Sequence, residues 1–150
     1  GLVLAALLEE LLFRGVPLAR LAETAGPAAA SVALSAAFVT SHLSNPAVSA
    51  LGLANIGLAS LVLCAAFFSP GGLPAAFGLH VGWNAGLALA ADAPVSGLRL
   101  GLPVVEFLPG PRPWLTGGAF GPEGGAAATV VLLGALAWWA GRQRGREVAA

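Results

Sequence analysis

Apolar and polar positions along this chain fall into long blocks, not into the short alternation of strands or the one-sided stripe of a surface helix. The first apolar block, Gly1 to about Ala22, is predicted as one helix stopped by Gly26 and Pro27. The second, Pro27 to about Leu43, opens on a proline where a helix tolerates one and is rich in the Ala and Ser that let membrane helices approach closely. Val48 to Phe68 is the clearest block and carries no charge. Leu73 to Ala91 follows the turn "SPGGLP", and Ala126 to Gly141 ends in Trp138 and Trp139, a pair suited to a membrane interface. Such blocks approach the roughly 20 apolar residues that cross a hydrocarbon core. Between the last two lies Asp92 to Gly125, dense in Pro and Gly, with "LPGPRPW" and "GGAFGPEGG". Backbone of that kind cannot face lipid and belongs in water or against protein.

Composition turns these helices into a membrane protein. Hydrophobic residues make up 57% of the 150 positions and charged residues 9%, with no lysine, tyrosine or methionine, and mean hydropathy is +0.85; an average soluble domain is about a quarter charged. The expected fold class is all-α: a polytopic helical membrane protein of about five transmembrane helices, forming a single core over residues 1–150. The charged motif comes only eight residues after Gly1, so the chain reads as a core whose upstream helices lie outside this sequence. A net charge of zero gives no basic face for nucleic acid. Cys64, the single cysteine, reads as a buried small hydrophobe. The arginines of the tail "GRQRGRE" place the C-terminus in the cytoplasm, and counting back puts Arg14 to Gly26 on the same side; Arg99 and Arg112 then fall on the other, against the trend.

Charge inside the first block needs a reason. In "EELLFRG" Glu10 and Arg14 are four apart and can pair on one helix face, which leaves Glu9 over. The apolar pattern continues through Val16, Leu18 and Leu21, so the cluster is expected within the bilayer; at about 1.5 Å per residue Glu9 lies roughly 20 Å from Ala22. An ionisable residue at such depth is a functional candidate. The two histidines, His42 and His80, both fall in apolar blocks, and His80 shares a face with Asn84. Phe13 and Phe38 read as packing, and Trp83 as a pocket wall or lipid-facing residue. The nucleophile motif G-x-S-x-G is absent, which disfavours covalent catalysis. A carboxylate can take a proton from water while imidazole and carboxamide stabilise an oxyanion. Alternatively, two histidines and Glu9 could hold Zn²⁺ with an open position, although H-E-x-x-H is absent. A proton-coupled transporter would also use buried charges, but repeated broken helices are missing.

In order, "EELLFRG", "FVTSHLSNP" and "GLHVGWNAG" resemble the CAAX protease and bacteriocin-processing, or abortive-infection, family of intramembrane proteases. Its motifs E-E-x-x-x-R, F-x-x-x-H and H-x-x-x-N match Glu9, Glu10 and Arg14, then Phe38 and His42, then His80 and Asn84. Asn45 and Pro46, the run "SPGGLPAAFGLHVGWN" and "TGGAFGPEGG" are similar to bacterial members. The resemblance implies an endopeptidase in a bacterial plasma membrane that hydrolyses a membrane-associated peptide or protein, prenylated or bacteriocin-like. It implies that Glu9 and His42 activate water and that His80 and Asn84 bind the oxyanion. Glu10 and Arg14 give structural support, Arg14 holding Glu10 and the backbone of a neighbouring helix. In a metal-dependent version Glu9, His42 and His80 would surround zinc. Because the family also includes bacteriocin-immunity proteins and scaffolds, a non-catalytic membrane protein using the same polar cavity is the alternative.

Overall fold

The structure is a computed structural model that describes the backbone of residues 1–101 and 107–149, with side chains as far as Arg142. Helices α1 (Leu2–Phe13), α2 (Val16–Ala25), α3 (Pro27–Ser41), α4 (Ala50–Phe67) and α5 (Gly72–Ala85) follow one another through short turns. A π-helical turn, Gly86–Ala90, extends α5; a short α6 (Pro113–Thr116) and two 3-10 turns, Gly118–Phe120 and Pro122–Gly124, then lead into α7 (Ala126–Ala149). No strand occurs among the described residues, and an isolated bridge joins Val95 to Leu98.

The first apolar block is not one helix. It breaks between α1 and α2, for reasons visible in two residues. Pro17 lacks the N–H that would bond back to Phe13 and its ring would crowd that carbonyl, so it sits in the first turn of a new helix. At Gly15 a Cβ would collide with the carbonyl oxygen of Leu11, a close approach that only glycine permits. The apolar residues that suggested continuity serve another purpose: Leu18 is buried against Ala30 and Cys64, with Leu21 packed beside them. The depth estimate for Glu9, which assumed a straight rod to Ala22, therefore fails.

Helix α4 is the central element, packed against α3, α5 and α7, while α1 lies on α5 and α2 on α3. Ser49 caps it by accepting the N–H of Gly52 at 3.0 Å. With 18 residues and a mean hydropathy of 2.0, α4 is the one described helix long and apolar enough to cross a membrane; Pro27–Ser41 and Ala126–Arg142 are apolar but shorter. The block Leu73 to Ala91 is likewise shorter as regular helix, since its last turn is π-helical. The side chains of Arg144 and Arg146, on which the orientation of the C-terminus rests, lie outside the described residues.

The burial pattern of α1 is inverted relative to a helix of a water-soluble bundle. On α1 the buried face is Ala6, Glu10 and Phe13, one helical stripe, while Leu4, Leu8, Leu11 and Leu12 point outward. The largest fully buried side chains include Arg14, Glu10 and Asn55. Charge inside and leucine outside is the arrangement expected where the surroundings are hydrocarbon.

The break itself is testable. Gly15→Ala forces either the turn or the end of α1 to move and is expected to cost about 1–3 kcal/mol. That change should appear as a thermal midpoint several degrees lower in detergent, followed by tryptophan fluorescence; an unchanged midpoint would show that the turn accommodates a side chain.

Candidate active site

Arg14 ends α1, and its guanidinium turns back into the bundle. Its Nη1 donates to Glu10 Oε1 at 3.1 Å; its Nη2 donates to Ser60 Oγ at 2.6 Å and, more weakly, to the Ser60 carbonyl at 3.4 Å. Both members of the ion pair are 0% exposed. The guanidinium carbon also lies 4.4 Å from the centre of the Phe38 ring, close enough for a cation–π contact. Arg14 thus joins α1 to α4 through Ser60 and to α3 through Phe38.

The same Glu10 oxygen takes a second donor. His80, on α5, lies 2.8 Å from Glu10 Oε1 through Nδ1, while its Nε2 is 3.7 Å from Glu9 Oε2. A carboxylate paired with arginine accepts hydrogen bonds only, so Nδ1 is the donor to Glu10 and the ring presents Nε2 toward Glu9. The 3.7 Å separation exceeds a hydrogen bond. The two carboxylates therefore differ: Glu10 is buried and committed to two donors, whereas the Glu9 side chain is 35% exposed and meets His80 alone among the described residues.

His42 caps the C-terminus of α3. Its Nδ1 donates to the Phe38 carbonyl at 2.7 Å, with Ser41 Oγ 3.1 Å away, so it too presents Nε2. Phe38 is the hub of this region: its ring lies 4.5 Å from that of His42, 6.4 Å from that of His80 and 5.1 Å from that of Phe13. Asn84 follows His80 by one turn of α5, half-buried, its side chain making no hydrogen bond among the described residues. The structure therefore puts Glu9, Glu10, Arg14 and His80 in direct polar proximity. His42 joins them through the Phe38 ring, not by contact with Glu9, and Asn84 stands nearby on the helix of His80.

In the metal-dependent alternative, zinc would be held by Glu9, His42 and His80. The tautomers would suit an ion, since a metal-bound imidazole usually donates its other N–H to a carboxylate or carbonyl. Among the described residues, however, no three His, Cys, Asp or Glu side chains are grouped closely enough to hold one. The donors as arranged do not fit a three-ligand centre, and no step below is routed through a metal.

Three placements were not anticipated. Glu10 orients His80 as well as pairing with Arg14. Ser60 anchors Arg14 from α4, inside the block notable for having no charge, where a lone hydroxyl gave no distinguishing signal. Trp83, expected to line a pocket or face lipid, donates its indole N–H to Glu123 Oε1 at 2.9 Å.

A family model described as type II CAAX prenyl endopeptidase, Rce1-like, matches residues 1–86, which takes in α1 to α5 and all of the polar residues just described except Glu123. No curated protein and no solved structure matches the chain.

The two glutamates should respond differently to substitution. Glu10→Ala leaves the Arg14 cation buried without its counter-ion and is expected to destabilise by about 3–5 kcal/mol. Ser60→Ala, which strips one acceptor from the same group, should cost about 1–3 kcal/mol. Glu9→Ala, at a half-exposed position, should leave the thermal midpoint nearly unchanged. Equal losses at Glu9 and Glu10 in an unfolding experiment would contradict this division.

Proposed function

The chain belongs to the Rce1-like family of type II CAAX prenyl endopeptidases, a membrane-embedded protease family, and on that premise we propose that it is an intramembrane endopeptidase that hydrolyses a membrane-associated peptide with activated water. The observation that carries this reading is the unequal use of the two carboxylates: Glu10 is consumed in fixing His80, which leaves Glu9 free to act as a base facing Nε2.

In the reaction we propose, a water lies in contact with Glu9 and His80. Glu9 takes its proton as the water oxygen attacks the scissile carbonyl. His80, oriented by Glu10 as a carboxylate orients the histidine of a hydrolytic triad, accepts a hydrogen bond from the water's other O–H, which stays on the oxygen, and so sets its direction. His42 presents a second Nε2 acceptor from the α3 side. The carboxamide N–H of Asn84 faces the charge developing on the carbonyl oxygen. Glu9 then returns the proton to the leaving nitrogen as the C–N bond breaks, which yields a carboxylic acid and an amine. The apolar exterior of α1, where Leu4, Leu8, Leu11 and Leu12 are exposed, supports a substrate delivered from the bilayer, prenylated or otherwise lipid-anchored. We place α4 across the membrane with α3, α5 and α7 around it, α1 bringing the acids into their midst, and the C-terminus in the cytoplasm of a bacterial cell.

The test is hydrolysis of a quenched-fluorescent peptide carrying a prenylated cysteine near its C-terminus, by the full chain in lipid nanodiscs. Glu9→Gln and His80→Ala should each lower kcat by about 10²- to 10⁴-fold, with insertion and thermal midpoint retained for Glu9→Gln and an exposed-surface variant, Arg20→Ala, at the unaltered rate. Turnover should persist in a strong zinc chelator. Hydrolysis that survives both substitutions would defeat the proposal, loss of turnover in chelator would restore the metal-dependent route, and an unaltered protein that binds such peptides without cutting them would favour the non-catalytic reading.

A further inference from the structure

Glu123 lies beyond the region matched by the family model, just ahead of α7, and its side chain takes no part in the cluster around Glu10. It is nevertheless a carboxylate only 8% exposed. Its Oε1 accepts the Trp83 indole N–H at 2.9 Å; its Oε2 accepts the Ser96 hydroxyl at 3.0 Å and also the Ser96 backbone N–H. No cation pairs with it among the described residues, so the buried charge is satisfied by three neutral donors. Burying a carboxylate on those terms is expensive unless the donors are held in place, and here the anchors are heavy. The Glu123 carbonyl accepts Asn55 Nδ2 at 2.7 Å, the Gly125 carbonyl accepts the same nitrogen at 3.0 Å, and Asn55 Oδ1 accepts the Thr129 hydroxyl at 2.7 Å. The segment carrying Glu123 is thereby fixed to α4 and α7.

What the carboxylate reaches from that platform gives it meaning. Trp83 immediately precedes Asn84 on the helix that also carries His80. Ser96, held at φ +48°, a value a non-glycine residue rarely adopts, presents its carbonyl to Asn45 Nδ2 at 3.0 Å. Asn45 closes the turn that follows His42, its N–H bonded to the His42 carbonyl at 3.1 Å. One side chain therefore links the turn after one histidine to the helix end bearing the other histidine and the carboxamide.

We propose that Glu123 is a positioning residue, a clasp that sets the spacing between the His42 turn and the His80–Asn84 end of α5. It touches neither water nor substrate; it acts through Trp83 and through Ser96 with Asn45. A carboxylate is required because three donors converge on two acceptor oxygens. The isosteric amide would offer one oxygen and turn an NH₂ toward N–H or O–H donors.

The catalytic arm of this proposal rests on the peptidase reading above, so the experiment includes a second arm that does not. Spin labels at Ser44→Cys and Gly82→Cys, both exposed positions, in a Cys64→Ala background in nanodiscs, report the spacing directly by pulsed dipolar spectroscopy. With Glu123 intact a single narrow distance distribution is expected; Glu123→Gln should broaden or shift it. In the unlabelled chain Glu123→Gln should lower kcat by about a hundredfold, the scale of a misplacement near 1 Å, with KM little changed. Trp83→Phe, which removes only the indole N–H, should move both readouts in the same direction and is read alone should Glu123→Gln fail to insert. A purely structural staple would lower the thermal midpoint without altering either readout in the folded fraction. An unchanged distribution with kcat retained overturns the clasp. A broadened distribution in a chain that never cleaves peptide upholds the clasp and removes the peptidase reading instead.

Discussion

A single carboxylate oxygen organises the interior of this bundle. Glu10 Oε1 receives a hydrogen bond from Arg14 and another from His80, so one acceptor joins the end of α1 to α5, and Arg14 carries the connection on to α4 and α3. Taking a carboxylate and a guanidinium out of water is costly, and their mutual attraction offsets the loss only when geometry and further hydrogen bonds are good. Here the remaining demand is met unevenly: Ser60 satisfies Arg14 Nη2, the Phe38 face covers the guanidinium, and Glu10 Oε2 and Arg14 Nε find no partner among the described residues. Such an arrangement is a poor way to gain stability and a good way to fix an imidazole. That is the sense in which the ion pair serves the site: Arg14 fixes the Glu10 carboxylate in place, and the same Glu10 oxygen holds His80 through Nδ1.

The helix break follows from the same requirement. A continuous helix through Arg14 would keep the chain climbing along the axis of α1, and the residues beyond it would continue outward past α5. Ending at Arg14 lets the guanidinium turn inward, while Gly15 and Pro17 start α2 in a new direction against α3. Leu18 then seals that side by packing on Ala30 and Cys64. Local chain chemistry and the electrostatics of the core thus agree on where α1 stops, a consistency between levels expected of a well-specified fold.

How far the sequence could be read depended on the range of the interaction. The pairing of Glu10 with Arg14 was legible because it is local, set by a four-residue helical spacing. The start of α3 and the end of α4 were legible because Pro27 and the turn "SPGGLP" are strong signals, whereas the Ser49 cap that starts α4 was not read. The break at Gly15 was overlooked although its residues were in plain view, since hydropathy alone continues through Val16, Leu18 and Leu21 and does not register direction. That His80 would meet both glutamates, and His42 neither, depends on how α1 crosses α5 and α3, which no spacing along the chain encodes. The expectation that Glu9 works with His42 rested on motif order, and order carries no distances.

Helix α4 shows how membrane-like composition can conceal chemistry. It was singled out for having no charge, yet its two buried polar side chains hold the molecule together at different levels. Ser60 receives Arg14 beneath the acid pair, and Asn55, a little more than one turn away, binds the carbonyls of Glu123 and Gly125 and the hydroxyl of Thr129. An amide and a hydroxyl can do this inside an apolar helix because each is neutral and each is saturated by its partners, so neither carries the desolvation penalty of an ion. The ionised groups are delegated to α1 and to the loop before α7. The charge-free helix is therefore the common reference to which both carboxylate centres are referred, Glu10 through Arg14 and Glu123 through its own backbone. Because both centres are tied to one rigid rod, the Glu10–His80 contact and the links from Glu123 to Trp83 and Ser96 share a single frame, and the proposed water lies on its Glu9–His80 side.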